Sequence, residues 1–337
     1  MTFRLSRVAL AWLILSWPVP ASYAQSGCVA TPEIYPGTTL SRLASFYYGD
    51  VGYQYAILLA TNARAGAGFQ FIGDPFNLPQ PKTPTDPRIK LCVPELLEAE
   101  RLRNRYNTYL AALADMAVSV PTHVSHSLDP ITLHRPVTVA TWIRGDQVKY
   151  FRNDDGSWVD RLGGDTWVTV EPHLQEFCAG FTEANGPDPD LLTFRIEQRL
   201  GLAPHSAKTT FVSFTIADPD PATNIFRPCA SPAIDTSFCA VRTSDDDQCP
   251  TASPMKERCE AHNRFFYKQY YNSYGAAHPT GFPWTSHGYT FDWALGPADA
   301  NGRAEFVRFG ESEYVVPAGT PITVEGAVTT SEYCTAK

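Results

Sequence analysis

The chain is short of charge. Only 18% of its 337 residues are Asp, Glu, Lys or Arg, against 44% hydrophobic residues. That balance excludes a disordered polymer and requires a packed core. There is no excess of base either: 35 acidic residues outnumber 27 basic ones, for a formal net charge of -8. A nucleic-acid partner calls for a basic face, so nucleic acid is not expected, and an anionic membrane surface gains no support. Beyond the N-terminus no apolar run approaches the roughly 20 residues that cross a bilayer. The G-x-S-x-G elbow, the P-loop, the dinucleotide fingerprint and the H-E-x-x-H helix are all missing. No two cysteines stand at zinc-knuckle spacing. No cofactor and no metal are therefore implied.

What is present begins at the N-terminus. Arg4 and Arg7 precede an apolar run from Val8 to Trp17, VALAWLILSW, which Pro18 and Pro20 break. Ser22 and Ala24 then supply small residues where a signal peptidase reads them. Residues 1–24 are expected to be a signal peptide, leaving a protein secreted into or beyond a bacterial periplasm, with no integral membrane segment after cleavage. Lipidation of Cys28 is the weaker alternative, because Gln25 stands where a lipobox needs an aliphatic residue. An even count of eight cysteines agrees with an oxidising compartment. Cys28 and Cys92 bracket the opening segment and are expected to staple it. Cys229, Cys239, Cys249 and Cys259 recur at intervals of ten, which reads as local disulfides tying down loops. Cys178 and Cys334 are left to pair across the larger domain.

The opening segment, 28–94, starts with a short extended piece and a Pro36-Gly37 turn. Thr38 or Thr39 is positioned to cap a helix, and Leu40, Leu43, Ala44 and Tyr47 repeat at helical spacing up to Gly49. A second helix fits Tyr53 to Asn62, followed by a glycine- and proline-rich loop and a closing strand, IKLCVP, from Ile89 to Pro94. The motifs PGTTL at 36–40, YYGD at 47–50, Asn62 and KLCVP at 90–94, in that order, resemble a LysM module. The departures are Thr38, where that family often has Asp, and a longer stretch after Asn62.

The resemblance implies a βααβ fold with a shallow groove between the turn before the first helix and the loop after the second. It implies binding of N-acetylglucosamine-containing glycan, peptidoglycan or chitin. The contacts would be Gly37, Thr38, Thr39 and Leu40 on one side and Asn62 with Ala63 on the other.

Residues 95–136 read as a helical linker. Glu95 to Val118 has acidic residues in its first turn, which suits the helix dipole, and an apolar face of Leu102, Tyr106, Tyr109, Leu110, Leu113 and Met116. A polar, His-containing stretch follows Pro121. Residues 137–337 read as a larger α+β domain with antiparallel strands. VTVATWIRG, QVKYFRNDDGSWVDRL and DTWVTVEP alternate apolar and polar residues around turns, as in a β-meander. Helices fit near His173 to Cys178 and from Leu191 to Leu200, capped by Asp190. TTFVSFTIADP reads as a strand, Met255 to Tyr274 as a helix, and HGYTFDW, AEFVRF, SEYVV and PITVEGAV as strands.

Several constellations in this domain bear on chemistry. Asp292 with Glu311 or Glu313 offers the paired carboxylates of glycan hydrolysis. Glu311-Ser312-Glu313 before a hydrophobic strand also resembles the E-x-E element of ADP-ribosyltransferase toxins. WIRG, with Arg144, loosely resembles their arginine motif, and Glu313 would then stabilise the ribose cation. Trp284-Thr285-Ser286 is a poor match to the middle strand of that family. His262, His278 and His287 lie close in sequence without metal-ligand spacing. Trp284, Tyr289, Phe291 and Trp293 suit sugar stacking or a strand face turned inward. The leading expectation is an exported envelope protein that binds peptidoglycan through its N-terminal module. A secreted enzyme, either a cell-wall glycan hydrolase or an ADP-ribosyltransferase-like toxin, is the alternative, and a structural envelope part is the third.

Overall fold

Thr39 decides where the first helix begins. Its Oγ1 accepts the Arg42 N–H at 3.2 Å, capping α1, Leu40–Tyr48, and Gly49 closes that helix in the left-handed region at φ 72°. A single 3-10 turn, Val51–Tyr53, leads into α2, Gln54–Asn62. Antiparallel bridges Ala30↔Val93 and Glu33↔Lys90 join the two ends of the segment, and the Cys28–Cys92 disulfide staples them. The extended pieces expected here are thus single bridges rather than full strands. The computed structural model describes residues 27–83, 86–274 and 281–335. The expected signal peptide, 1–24, and His278 lie outside them.

Helix α3, Leu96–Met116, places Ala99, Leu102, Tyr106, Tyr109, Ala112 and Met116 on its buried face. Leu110, expected there, is 36% exposed; the small Ala99 and Ala112 lie on the buried stripe. The helix connects two bodies through that stripe. Tyr106 stacks on Tyr55 of α2 at 4.0 Å, and Tyr109 meets Trp293 of the large domain edge-on at 5.6 Å. The N-terminal segment, α3 and Phe291 with Trp293 therefore share one apolar core. The stretch after Pro121 is a strap rather than a polar spacer. Leu128 and Ile131 are buried, and their N–H groups donate to Ser237 and Ile234 carbonyls.

The large domain is built on a six-stranded antiparallel sheet in the order β4-β5-β2-β1-β3-β6. Its strands are β1 Val137–Ile143, β2 Thr166–Val170, β3 Thr210–Ile216, β4 Tyr289–Leu295, β5 Phe306–Val316 and β6 Thr323–Thr329. AEFVRF and SEYVV thus belong to one strand, β5. The segment expected as a second meander strand, QVKYFRNDDGSWVDRL, instead opens within a 3-10 helix, Gly145–Phe151, and contributes the isolated bridges Arg152↔Trp158 and Arg161↔Pro321.

One sheet face packs Val139, Val168, Val212, Phe214, Tyr314 and Val316 with Phe151 and Leu162. The other face packs Ala140, Trp142 and Phe211 against α4, His173–Asn185, and α5, Pro189–Arg199. Helix α5 begins earlier than expected, because Asp188 and not Asp190 caps it, accepting from the Asp190 and Leu191 N–H groups. Helix α6 spans Met255–Tyr274 and α7 Thr330–Tyr333. The remaining disulfides are Cys178–Cys334, Cys229–Cys239 and Cys249–Cys259; the last two are local loops of the kind expected, with a pairing the spacing left open.

Candidate functional site

The turn before α1 is closed by its own atoms. Thr38 N–H donates to the Tyr35 carbonyl and Tyr35 N–H to Thr38 Oγ1, both at 2.9 Å. Gly37 sits at φ 83°, where a side chain would be strained, and its carbonyl accepts from Arg42 Nη1 at 3.1 Å. Gly37 and Thr39 are exposed, and their N–H groups make no hydrogen bond to the described residues. Leu40 is 1% exposed and belongs to the core.

On the other side of the expected groove, Ala63 is exposed while Asn62 is buried. The Asn62 amide pairs with the Ile72 backbone in both directions, at 2.8 and 3.0 Å. Asn62 thereby fastens the long loop that follows it. Phe71, one residue earlier in that loop, lies under the Arg144 guanidinium of the large domain at 5.1 Å. Asn62→Ala removes two buried hydrogen bonds and is expected to destabilise by about 1–3 kcal/mol. Limited proteolysis should then cut within 63–83, where the wild type resists.

The large domain holds the other candidate groups, and it brings Asp292 and Glu311 together around one arginine. Asp292 is fully buried and bidentate to Arg195 at 2.9 and 2.7 Å, with Arg199 at 3.7 Å. Arg199 in turn holds Glu311 at 2.6 Å. Both carboxylates are thus ion-paired to arginines four residues apart on α5, Arg199 bridging the two. Gly310 lets this happen: a Cβ there would collide with the Thr290 and Arg199 carbonyls.

His287 is buried between Ser119 Oγ at 2.8 Å and the Cys239 carbonyl, and burial lowers its pKa to about 4. His262 binds the Cys229 carbonyl at 2.8 Å. Both are occupied around the Cys229–Cys239 loop. Among the described residues no group of three or more His, Cys, Asp or Glu is placed to hold a metal ion. Arg144 pairs with Asp146 at 3.0 Å. Thr285 donates to the Tyr289 carbonyl at 2.6 Å. Among the described residues no hydrogen bond or ion pair links the Glu313 side chain to Arg144 or to the Trp284-Thr285-Ser286 segment. Trp284, Tyr289, Phe291 and Trp293 are core residues, each at most 2% exposed.

Glu313 alone opens onto a cavity, of about 650 Å³, together with Trp167, Thr169, Gln269, Phe282 and Thr290. Its Oε2 is enclosed and has no hydrogen-bond partner among the described residues. Desolvation raises its pKa from 4.5 to about 8. The folded state therefore binds this proton more tightly than the unfolded chain, and stability falls as pH rises from about 4.5 to about 8. Glu313→Gln should flatten that decline in urea unfolding measured near both ends of the window.

Lys208 lines the same cavity, its Nζ 2.7 Å from the Trp142 carbonyl. Burial lowers its pKa to about 8. Sequence reading missed Lys208 because the loop APHSAKTT carries no motif. The only available signal was a lone lysine just ahead of an apolar strand.

The fold and site define an α+β protein with an antiparallel sheet, four disulfides and, in its large domain, a cavity onto which Glu313 and Lys208 open. Comparison with known protein families, curated proteins and solved structures finds no match.

Proposed function

We propose that this is an exported envelope protein that binds an N-acetylglucosamine-containing glycan, peptidoglycan first, through the Tyr35–Leu40 turn and the surface beside Ala63. The closed turn carries this reading. It presents the Gly37 and Thr39 N–H groups unpaired on exposed residues, and an acetamido carbonyl is the acceptor such donors suit. The order of bridge, helix, helix and bridge, stapled by Cys28–Cys92, supports it. In this reading Leu40 and Asn62 act from beneath, one anchoring α1 and the other holding the loop, while Gly37, Thr38, Thr39 and Ala63 meet the sugar. The shared core through α3 holds the large domain rigidly beside the bound chain.

Sedimentation of the mature protein with insoluble peptidoglycan tests this. The wild type should pellet and be released by chito-oligosaccharide, and Gly37→Val should stay in solution while melting as a folded protein. Wild-type protein left wholly in the supernatant would contradict the reading.

A further inference from the structure

The cavity lies where the sheet divides. Strands β1 and β2 pair only at Val139↔Val170 and Ala140↔Thr169. Beyond that point β1 stays with β3, through Trp142↔Phe211 and Ile143↔Thr210, and β2 stays with β5, through Trp167↔Val315 and Thr166↔Val316. Residues 141–143 and 166–168 therefore line the cavity as two strand segments that do not pair with each other.

Alternation along an antiparallel strand fixes which groups face the gap. The Thr138 carbonyl accepts from Glu171 N–H on the β2 side, and the Ile143 carbonyl from Thr209 N–H on the β3 side. Trp142, in step with Thr138, turns its backbone toward β2. Its carbonyl takes the Lys208 ammonium in place of a strand partner.

Lys208, Glu313 and, at the rim, Asp165 are the charged residues of this cavity's lining; buried Glu197 is the acidic group that acts on Lys208 from nearby. Among the described residues Lys208 forms no ion pair and Glu313 Oε2 has no hydrogen-bond partner. Glu313 lies level with Thr169 and Ala140. It is two strand spacings from β1, about 10 Å, and two residues, about 7 Å, along from Trp142.

We propose that this divided sheet binds a short peptide with free ends. Its carboxylate meets Lys208, its amino group meets Glu313, and its extended backbone lies along the unpaired edge of Trp142. Three features select that class over a sugar or a nucleotide: unlike charges at a separation, a free strand edge between them, and apolar walls of Trp142, Trp167 and Phe282. Strand addition at an open edge is a recurrent way of holding peptide. The span fits about two to four extended residues at roughly 3.3–3.6 Å each, and the cavity is in the size range of small-ligand sites. This inference does not depend on the glycan reading, which concerns the N-terminal segment.

Titration calorimetry on the mature protein tests it, with trialanine as the probe beside its N-acetylated and C-amidated forms. Trialanine should bind, and each cap should weaken binding by about tenfold or more. The amide's penalty should vanish in Lys208→Met and the acetyl's penalty in Glu313→Gln. Absence of trialanine binding, or equal binding of free and doubly capped peptide by the wild type, would overturn the proposal even if neither variant folds. Penalties that persist unchanged in folded variants would do the same.

Discussion

Asp292→Asn is expected to lower the free energy of unfolding by about 3–5 kcal/mol, the usual consequence of removing one partner from a buried ion pair. Asp292 is fully buried, and its two oxygens take the Arg195 fork at 2.9 and 2.7 Å while also accepting the Ala294 N–H at 3.1 Å. An amide keeps the shape but turns an NH₂ toward a guanidinium that has only 15% of its side chain in water. Arg199 would then answer to Glu311 alone. Because both arginines ride on α5, the loss would loosen that helix from β4 and β5 together. Asp299→Asn is the control: its carboxylate only orders the exposed turn at Asn301 and Arg303. Denaturant midpoints measured on both variants would decide, and a loss below about 1 kcal/mol for Asp292→Asn would show that the network contributes little.

Replacing Cys178 and Cys334 together by serine should cost more than replacing Cys249 and Cys259. The first bridge closes 156 residues and the second closes 10. Chain entropy alone assigns them about 5 and about 3 kcal/mol at room temperature. The longer bridge also ties α4 to α7 over Trp142 and Phe211, where Tyr333 stacks on Phe211 at 3.8 Å. Both sulfurs are buried there, so serine adds desolvated hydroxyls. Unfolding of the two double variants under non-reducing conditions should separate their midpoints in that order. The reverse order would mean that folded-state packing, and not the unfolded chain, sets the bridges' worth.

The parts that were legible in the sequence are those that local chemistry specifies. Thr39, Gly49 and the spacing of Leu40 and Ala44 give α1 without help from the rest of the chain. Decade spacing among four cysteines marks local disulfides, while which cysteine joins which is set by the fold. What was not legible depended on distant partners. Gly145–Phe151 alternates like a strand, yet Phe151 is buried against Phe214, 6.3 Å between rings, by a 3-10 turn that drops it onto the sheet. Asn62 is expected in the groove because it matches a position of the LysM pattern. Its amide instead pairs with Ile72, ten residues on, across a loop whose length hid the contact. Glu311 and Glu313 look alike on one strand, and only Arg199, more than a hundred residues away, pairs with the first and leaves Oε2 of the second without a hydrogen-bond partner among the described residues. The division between β1 and β2 leaves no local mark, because each segment still has a good partner on its other side.

The account of function stands most directly on amide chemical shifts of the mature protein titrated with chito-oligosaccharide. Shifts confined to Gly37, Thr38, Thr39 and Ala63, with the residues around Glu313 unmoved, are the predicted result. A spectrum that does not change at saturating sugar, or one that changes only in the large domain, would contradict it.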